Sequence, residues 1–280
     1  MIPNVGHRPN GVALAAGDAW VISGDQERLD RIDTATLHER TQHPRVGAGA
    51  SSIVSQGDTV WVAANRSRTV TQLDARTGRV VRTLRPGGAP WRLALGSGSL
   101  WVGTTADKPG ANTVIRYTLN GRVISRRDVP HGIAALAATA DALWVAERNP
   151  PTVRRFDPRT GETKVWAQLA GPAAFLGTGA GYLWASMGTE DLMTQINPRR
   201  FGDVATSSAG HRPQQSVAAG GRVYVASNTD HTLLAFDPRT GRQTGEPISV
   251  QTNPYALAAD SHYVWVTGLG KNTLTRLAYR

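Results

Sequence analysis

Short segments of alternating apolar and polar residues recur along the whole chain, separated by turns rich in glycine, aspartate and proline. Residues 152–156 alternate in this way, which is the period-two pattern of a strand with one buried face. Residues 11–15 and 91–95 are instead mostly small or apolar, as expected of strands in a crowded interior. The pattern predicts an all-β fold made of many short strands.

These segments belong to a repeat marked by an aromatic residue with a small or branched residue after it. The aromatic residues lie about 40 residues apart, and they are Trp20, Trp61, Trp101, Trp144, Trp184, Tyr224 and Trp265. Each repeat is predicted to have a small first strand, the aromatic-bearing second strand, an alternating third strand and a polar fourth strand. The third strand ends in a turn that opens with Asp and closes with Gly, as at residues 74–78, 157–161 and 237–241.

Four-stranded units of this length, repeated around an axis, form a β-propeller. We predict one all-β domain over residues 1–280, a seven-bladed β-propeller with four-stranded antiparallel blades. The blades are expected at residues 6–46, 47–86, 87–129, 130–169, 170–209, 210–250 and 251–280, with residues 1–5 completing the last one. The seventh repeat ends after its third strand, so residues 2–5 should supply the missing strand and close the ring.

The composition is that of a globular protein, with 40% hydrophobic and 19% charged residues. No segment has the roughly 18 consecutive apolar residues that a membrane helix needs, and the N-terminus lacks the features of a signal peptide. The absence of cysteine excludes disulfides and thiolate metal ligands. We expect a monomer that does not insert into a membrane.

The net charge of +10 comes almost entirely from arginine, since all but three of the 31 basic residues are arginines. Several of them recur at one turn position of the repeat, which predicts a solvated basic rim. The functional alternative is binding of a polyanion, either nucleic acid or an anionic wall polymer, through Arg8, Arg92 and Arg212. Nucleic acid is not the favoured partner.

In a propeller, the loops from outer strand to next inner strand share one rim with the loops between second and third strands. Alignment of the repeats puts three histidines at one position of the first kind of loop, and the sequence Gly-His-Arg-Pro occurs twice there. The alternative is that this motif only shapes the loop. We predict a ligand site at the channel mouth, and the residues expected to line it are His7, Arg8, Asn10, Trp91, Arg92, His131, His211, Arg212, Gln214, Asn253 and Tyr255. The longest insertion, residues 107–112, is expected to form a longer loop.

Residues 130–133 (Pro-His-Gly-Ile) and 143–147 (Leu-Trp-Val-Ala-Glu) resemble the repeat of the streptogramin (virginiamycin B) lyase family, which are seven-bladed propellers. The Asp-Pro-x-Thr-Gly turns also resemble YVTN-repeat propellers. The resemblance extends over all seven repeats. It implies that His131 and Glu147 match one catalytic histidine and the catalytic acid of the lyases, which use two histidines from neighbouring blades with magnesium. Gly88 and Gly171 stand where a neighbouring-blade histidine would be, so lyase activity is disfavoured.

The favoured hypothesis is a non-catalytic propeller that senses or binds a small molecule, glycan or protein at the channel mouth. The resemblance implies the exterior domain of a bacterial receptor-type serine/threonine kinase, or a secreted or anchored module. An extracellular or cell-surface location in a longer bacterial protein is therefore expected, with a cytoplasmic one left open. We expect no cofactor and no metal. The enzyme alternative is a streptogramin-lyase-like reaction through His131 and Glu147.

Overall fold

The computed structural model describes residues 1–105 and 112–279. Of the insertion expected at residues 107–112, all but Asn112 lies outside the described residues. Within the described part of the chain, no helix is long and apolar enough to cross a membrane. Its regular structure consists of strands in seven separate antiparallel sheets.

The sheets follow one another along the chain, and each is one blade. The strands of blades 1 to 7 in order are β1 (Pro9–Ala15), β2 (Asp18–Ser23) and β3 (Asp30–Asp33); β4 (Ala50–Gln56), β5 (Thr59–Ala64), β6 (Thr69–Asp74) and β7 (Val80–Leu84); β8 (Ala89–Gly96), β9 (Ser99–Thr105), β10 (Thr113–Thr118) and β11 (Val123–Asp128); β12 (Ile133–Ala138), β13 (Leu143–Arg148), β14 (Pro151–Phe156) and β15 (Thr163–Gln168); β16 (Phe175–Gly179), β17 (Tyr182–Met187), β18 (Leu192–Ile196) and β19 (Val204–Ser208); β20 (Pro213–Ala219), β21 (Arg222–Ser227), β22 (Thr232–Phe236) and β23 (Gln243–Ser249); β24 (Pro254–Ala259), β25 (Tyr263–Gly268) and β26 (Thr273–Ala278).

The blades form a closed ring around a central channel. The first strand of each blade contacts the first strand of the next, in the order β1, β4, β8, β12, β16, β20 and β24, and β24 contacts β1 again. Small residues on these strands allow the close approach around the axis, while the larger side chains lie between blades further out. The predicted seven-bladed β-propeller is confirmed.

The aromatic residue of each second strand is buried between neighbouring blades. Trp20, Trp144 and Trp265 are fully buried, and each indole N–H donates to an acceptor five residues earlier in its own blade. The acceptor is the carbonyl of Ala15 for Trp20, at 3.4 Å, and the carboxylate of Asp260 for Trp265, at 2.8 Å. Because burying an unpaired N–H is unfavourable, these bonds let a large side chain fill the gap without an energetic penalty.

In three blades, an arginine on the third strand lies opposite the tryptophan of the second strand. This arginine connects its blade to the next one. The guanidinium lies over the indole ring and donates to a backbone carbonyl in the following blade, which combines a cation–π contact with a hydrogen bond. The three bonds run from Arg31 to Ala75 (3.2 Å), from Arg116 to Pro158 (2.6 Å) and from Arg276 to Thr34 (2.7 Å). Part of the basic charge therefore holds blades together.

The N-terminal segment completes blade 7, as predicted. Ile2 and Leu274 exchange two backbone hydrogen bonds of 2.8 and 3.0 Å, and the N–H of Val5 donates to Asn272 at 2.9 Å. The side chain of Val5 is buried against Val12 of blade 1 as well as Leu274. The two ends of the chain are thus held in one sheet.

Blade 1 departs from the predicted four-stranded pattern. Its outer segment makes only two isolated bridges to the rest of the blade, Arg28 with Arg45 and Ile32 with Glu39. Between them, the N–H of Arg40 donates to Arg31 and the N–H of Leu29 donates to Pro44. The chain bulges away from β3 between these two bonds, so a regular fourth strand does not form.

Replacement of Val5 by Asp should lower the melting temperature strongly, because it buries a carboxylate in the contact that closes the ring. The matched control is Pro3→Asp, since Pro3 lies exposed on the same segment and should tolerate the charge. Thermal unfolding followed by tryptophan fluorescence measures both. Equal melting temperatures for the two variants would contradict the closing role of residues 2–5.

Candidate ligand site at the channel mouth

A cavity of about 1120 Å³ opens at the rim of the ring on the side of blades 4 to 7 and 1. We call it the mouth cavity. Its walls come from the loops between blades and from the loops between second and third strands. The residues that give it its chemical character are Arg8, Arg148, Asp191, Arg212, Gln214, Asn228, Asn253 and Tyr255.

Three of the rim residues share one backbone conformation. Arg8, Arg212 and Asn253 all have φ near +55°, with values of 53, 54 and 57°, which only a fixed loop geometry imposes on residues other than glycine. The backbone N–H of each is held by a side chain of the preceding blade. The acceptors are Asn272 for Arg8 (2.8 Å), Asp191 for Arg212 (2.8 Å) and His231 for Asn253 (3.1 Å). Each of these rim positions is therefore set by the blade before it.

A smaller cavity of about 400 Å³ lies beside the mouth cavity and shares Tyr255 with it. We call it the inner cavity, and its wall includes Asn10, Arg66, Trp91, Arg92 and Phe175. It leads toward a channel cavity of about 230 Å³ lined by the first strands of several blades. Arg92 and Phe175 line both the inner and the channel cavity, so they stand where the rim narrows into the channel.

Aromatic rings surround the guanidinium of Arg92. Its central carbon lies 4.5 Å from the ring of Trp91 and 5.4 Å from that of Phe175. Phe175 in turn makes an edge-to-face contact with Tyr255, with ring centroids 5.4 Å apart. Stacking on aromatic faces is favourable for a guanidinium and leaves its edge free for hydrogen bonds.

The hydrogen-bonding capacity of Arg92 is largely unused by the protein. Its two terminal nitrogens each make one long bond, to the carbonyl of Trp91 at 3.3 Å and to that of Ala174 at 3.4 Å. The Nε atom is enclosed without a partner, and so is the indole nitrogen of Trp91. A guanidinium has five donors, so three of the donors of Arg92 have no hydrogen-bond partner among the described residues.

No carboxylate among the described residues forms an ion pair with Arg92. Burial lowers the pKa of Arg92 to about 10, with Tyr255 acting in the opposite direction and the positive charge of Arg148 in the same one. The group still carries its charge at neutral pH. It is a cation held in a partly dry site without a protein counter-ion, which favours the approach of an anion.

The acids near the two cavities already have partners. Asp191 accepts the backbone N–H of Arg212, and Asp25, on the wall of the inner cavity, accepts from His7 at 3.2 Å. The side chains of Arg8, Arg148 and Arg212 make no ion pair within residues 1–105 and 112–279. Three arginines and one acid line the mouth cavity, so the charge of its wall is positive on balance.

Of the eleven residues predicted to line the mouth, five lie on the mouth cavity and three more on the inner cavity. The first group is Arg8, Arg212, Gln214, Asn253 and Tyr255, and the second is Asn10, Trp91 and Arg92. The histidines His7, His131 and His211 line neither cavity. The structure thus brings the arginines, amides and aromatic residues together and places the histidines elsewhere.

His7 and His211 are fixed to acids of their own blades, which accounts for the repeated Gly-His-Arg-Pro motif. The ring of His211 lies 2.7 Å from the carboxylate of Asp230, which also accepts the backbone N–H of His211 at 2.7 Å and the hydroxyl of Ser227 at 2.6 Å. The ring of His7 lies 3.2 Å from the carboxylate of Asp25. A side chain at the preceding Gly6 would collide with Ser23, and φ is +63° there. The motif shapes the loop in both blades.

Glu147 is buried and paired inside its own blade. It is almost fully buried, at 1% exposed. Arg154 donates to its two oxygens at 2.9 and 3.2 Å, and the hydroxyl of Thr152 donates to it at 2.8 Å. Its lone pairs are thus used inside blade 4. His131 is exposed, and its backbone carbonyl accepts from Arg148.

Two residues at this site, Arg148 and Phe175, were not predicted from the sequence. Arg148 is the last residue of β13 and stands directly before a loop between second and third strands, where no site residue was predicted. Phe175 lies at the start of the first strand of blade 5, as Trp91 and Tyr255 do in blades 3 and 7. It is one position out of register with them because β16 lacks the bulge that β8 and β24 carry.

Known proteins resemble this chain in structure but not in sequence. No protein-family model matches the sequence, and no curated protein matches it. The structure is similar to virginiamycin B lyase from Staphylococcus aureus, with a TM-score of 0.81 and 15% identity over 100% of this chain and 98% of that one. The likeness is one of fold. The predicted resemblance to the architecture of the streptogramin lyases is confirmed.

Propellers with other names are similar to a comparable degree. The Cps50 (Swd1) β-propeller domain of Myceliophteria thermophila gives a TM-score of 0.78 at 12% identity, with 98% of each chain covered. BamB from Moraxella catarrhalis gives 0.64 at 16% identity, over 96% of this chain and 84% of that one. The structures similar to this fold thus include a lyase and propellers with other names. Similarity of fold therefore does not assign a function to this chain.

Replacement of Glu147 by Ala should lower the free energy of unfolding by about 3 kcal/mol, because Arg154 would be left half-buried without its acceptor. Urea unfolding measures the loss. Glu162→Ala, in an exposed turn of the same blade, is the control and should have little effect. A Glu147→Ala protein as stable as the control would mean that Glu147 has no structural role and would reopen its assignment as a catalytic acid.

The His211–Asp230 pair should stabilise the fold most between mildly acidic and neutral pH. Asp230 raises the pKa of His211 by hydrogen bonding and by its charge. The stability that protonated His211 contributes is therefore lost as the pH rises through its raised pKa. The pKa of Asp230 falls to about 2, because hydrogen bonds from Ser227 and His211 outweigh its burial, so its contribution is lost in acid. Titration of His211 by NMR should show its midpoint falling in Asp230→Asn. An unchanged midpoint would contradict the pairing.

Proposed function

We propose that this protein is a non-catalytic binding or sensing propeller that takes a small anionic ligand at the channel mouth. The observation that carries the proposal is the guanidinium of Arg92, which is stacked between aromatic rings and has unused donors and no protein counter-ion. A carboxylate or phosphate matches the two-pronged geometry of a guanidinium. Such an anion would take up donors that the protein leaves free.

The shape of the site favours a ligand with an apolar, flat body attached to the anionic group. Trp91, Phe175 and Tyr255 offer ring faces and edges around Arg92. The inner cavity, of about 400 Å³, has the size of a small-molecule site, and it opens beside the larger mouth cavity. The amides of Gln214 and Asn253 on the mouth cavity add hydrogen-bonding groups that would orient the remainder of the ligand.

The environment of the two catalytic candidates supports a binding role over lyase chemistry. The carboxylate of Glu147 is bonded to Arg154 and Thr152, so it is not available to take a proton from a substrate without breaking a buried ion pair. His131 does not lie on the cavities that carry the charge and the aromatic rings. The placement outside the cell, in a receptor-type or anchored protein, stays a prediction, and cell fractionation tests it.

Binding of a polyanion is the second candidate, and the three arginines of the mouth cavity favour it. Arg8, Arg148 and Arg212 line one cavity without ion pairs among the described residues. A charged polymer laid across the rim would contact all three. Polyanion binding predicts that affinity falls steeply as the salt concentration rises, since counter-ions are released on binding.

The proposal is tested by thermal shift with matched pairs of ligands, such as an aromatic carboxylate and the corresponding neutral alcohol. The anionic member should raise the melting temperature because it binds only the folded state, and the neutral one should not. In Arg92→Gln, the affinity for the anionic member should fall at least about tenfold, the effect expected from removal of a charged hydrogen bond. Arg159→Gln, in an exposed turn, is the control.

A wild-type protein that responds to no anionic ligand, or an Arg92→Gln protein that binds as well as the control, would overturn the proposal. Salt separates the two candidates. Affinity for a single small anion should change modestly between about 50 and about 200 mM salt, whereas a polyanion that contacts several arginines should lose about tenfold or more.

A further inference from the structure

Blade 1 contains a cluster of three metal-ligating side chains in the place where its fourth strand is irregular. Asp30 lies on β3, while Glu39 and His43 lie on the outer segment that bulges away from it. One ligand atom from each of the three lies within 4.8 Å of the other two. The cluster is separate from the mouth and inner cavities, whose walls include none of these residues.

The spacing of the cluster fits metal coordination better than hydrogen bonding. The Nδ1 atom of His43 lies 3.4 Å from Asp30 Oδ1 and 3.6 Å from Glu39 Oε1. These distances are long for hydrogen bonds. In a tetrahedral zinc site with bonds of about 2.1 Å, neighbouring ligand atoms stand about 3.4 Å apart. The two distances from His43 therefore match this spacing.

An enclosed imidazole nitrogen in the cluster lacks a partner, which is the independent sign of a missing ligand. The Nδ1 atom of His43 has no hydrogen-bond partner among the described residues, and it faces Oδ1 of Asp30, whose side chain is 2% exposed. The other carboxylate oxygen of Asp30, Oδ2, is also unpaired but lies near Gly6 and Ser23. Native proteins rarely leave an enclosed atom such as His43 Nδ1 without a partner. A cation bound by His43 Nδ1 and Asp30 Oδ1 would supply that partner.

The charges around the cluster also favour a cation. Arg31 is bonded to Asp18, and Arg40 to Asp18 and Asp33, so neither neutralises Asp30. Burial and the nearby Glu39 carboxylate raise the pKa of Asp30 to about 6, although Arg28 and His43 act in the opposite direction. Because a metal-bound imidazole must give up its extra proton, the two carboxylates would leave two negative charges at the occupied site, which a divalent cation would balance.

We propose that Asp30, Glu39 and His43 bind a divalent transition-metal cation of the zinc type. The imidazole selects for such ions over magnesium and calcium, which prefer oxygen ligands. Because Asp30 belongs to β3 and the other two ligands to the outer segment, the ion ties that segment to its sheet. The proposed role is structural: the metal replaces the strand pairing that blade 1 lacks, next to the segment that closes the ring.

The experiment uses the full chain after chelator treatment and removal of the chelator. Titration calorimetry with zinc chloride should give one ion per chain, and zinc should raise the melting temperature by about 3 °C or more at saturation. Magnesium and calcium chloride should give neither effect. Asp30→Asn and His43→Ala should each weaken zinc binding at least about tenfold.

The control is His38→Ala, because His38 is an exposed histidine on the same outer segment and not part of the cluster; it should bind zinc like the wild type. If Asp30→Asn fails to fold, Glu39→Gln takes its place, since Glu39 is exposed. The proposal is overturned if the wild type binds no stoichiometric zinc. It is also overturned if a folded variant of any one of the three residues binds as tightly as His38→Ala.

Discussion

The burial of one aromatic side chain between each blade and the next is the contact on which the ring depends. A single blade has two faces and cannot cover either alone, so it needs a neighbour on both sides. Trp20, Trp144 and Trp265 fill the gaps, and their indole N–H groups are satisfied within their own blades. Because the same packing recurs seven times, the ring has no free end except at the seam. There, strand pairing between Ile2 and Leu274 takes over.

Arginine has two distinct uses in this molecule, which explains how a chain of such high positive charge folds compactly. In one use, Arg31, Arg116 and Arg276 stack on buried tryptophans and donate to the next blade. In the other, Arg8, Arg148 and Arg212 line the mouth cavity without an ion pair among the described residues and make its wall positive on balance. The first use needs no ligand. The second leaves a charge without a partner, and it is the second that points to function.

The sequence was sufficient to predict the fold but only part of the site. The spacing of the aromatic residues determined the number of blades, and the incomplete seventh repeat predicted the seam. Alignment of the repeats placed Arg8, Arg212 and Asn253 correctly on one rim, because all three share a loop conformation. It also grouped the histidines with them, although His7 and His211 contact Asp25 and Asp230 and do not line the mouth or inner cavity. Phe175 was missed because the absence of a bulge shifts it by one residue. The cluster of Asp30, Glu39 and His43 was missed because it arises where blade 1 departs from the repeat.

The pairing of Ile2 with Leu274 has a topological consequence. The beginning and the end of the described chain run side by side at one blade, so a short peptide could join them without disturbing the ring. A chain linked in that way could be opened instead at any connection between two other blades and would keep the same neighbours throughout. The same adjacency suits the propeller to insertion into a loop of a host protein, since its entry and exit points would lie together.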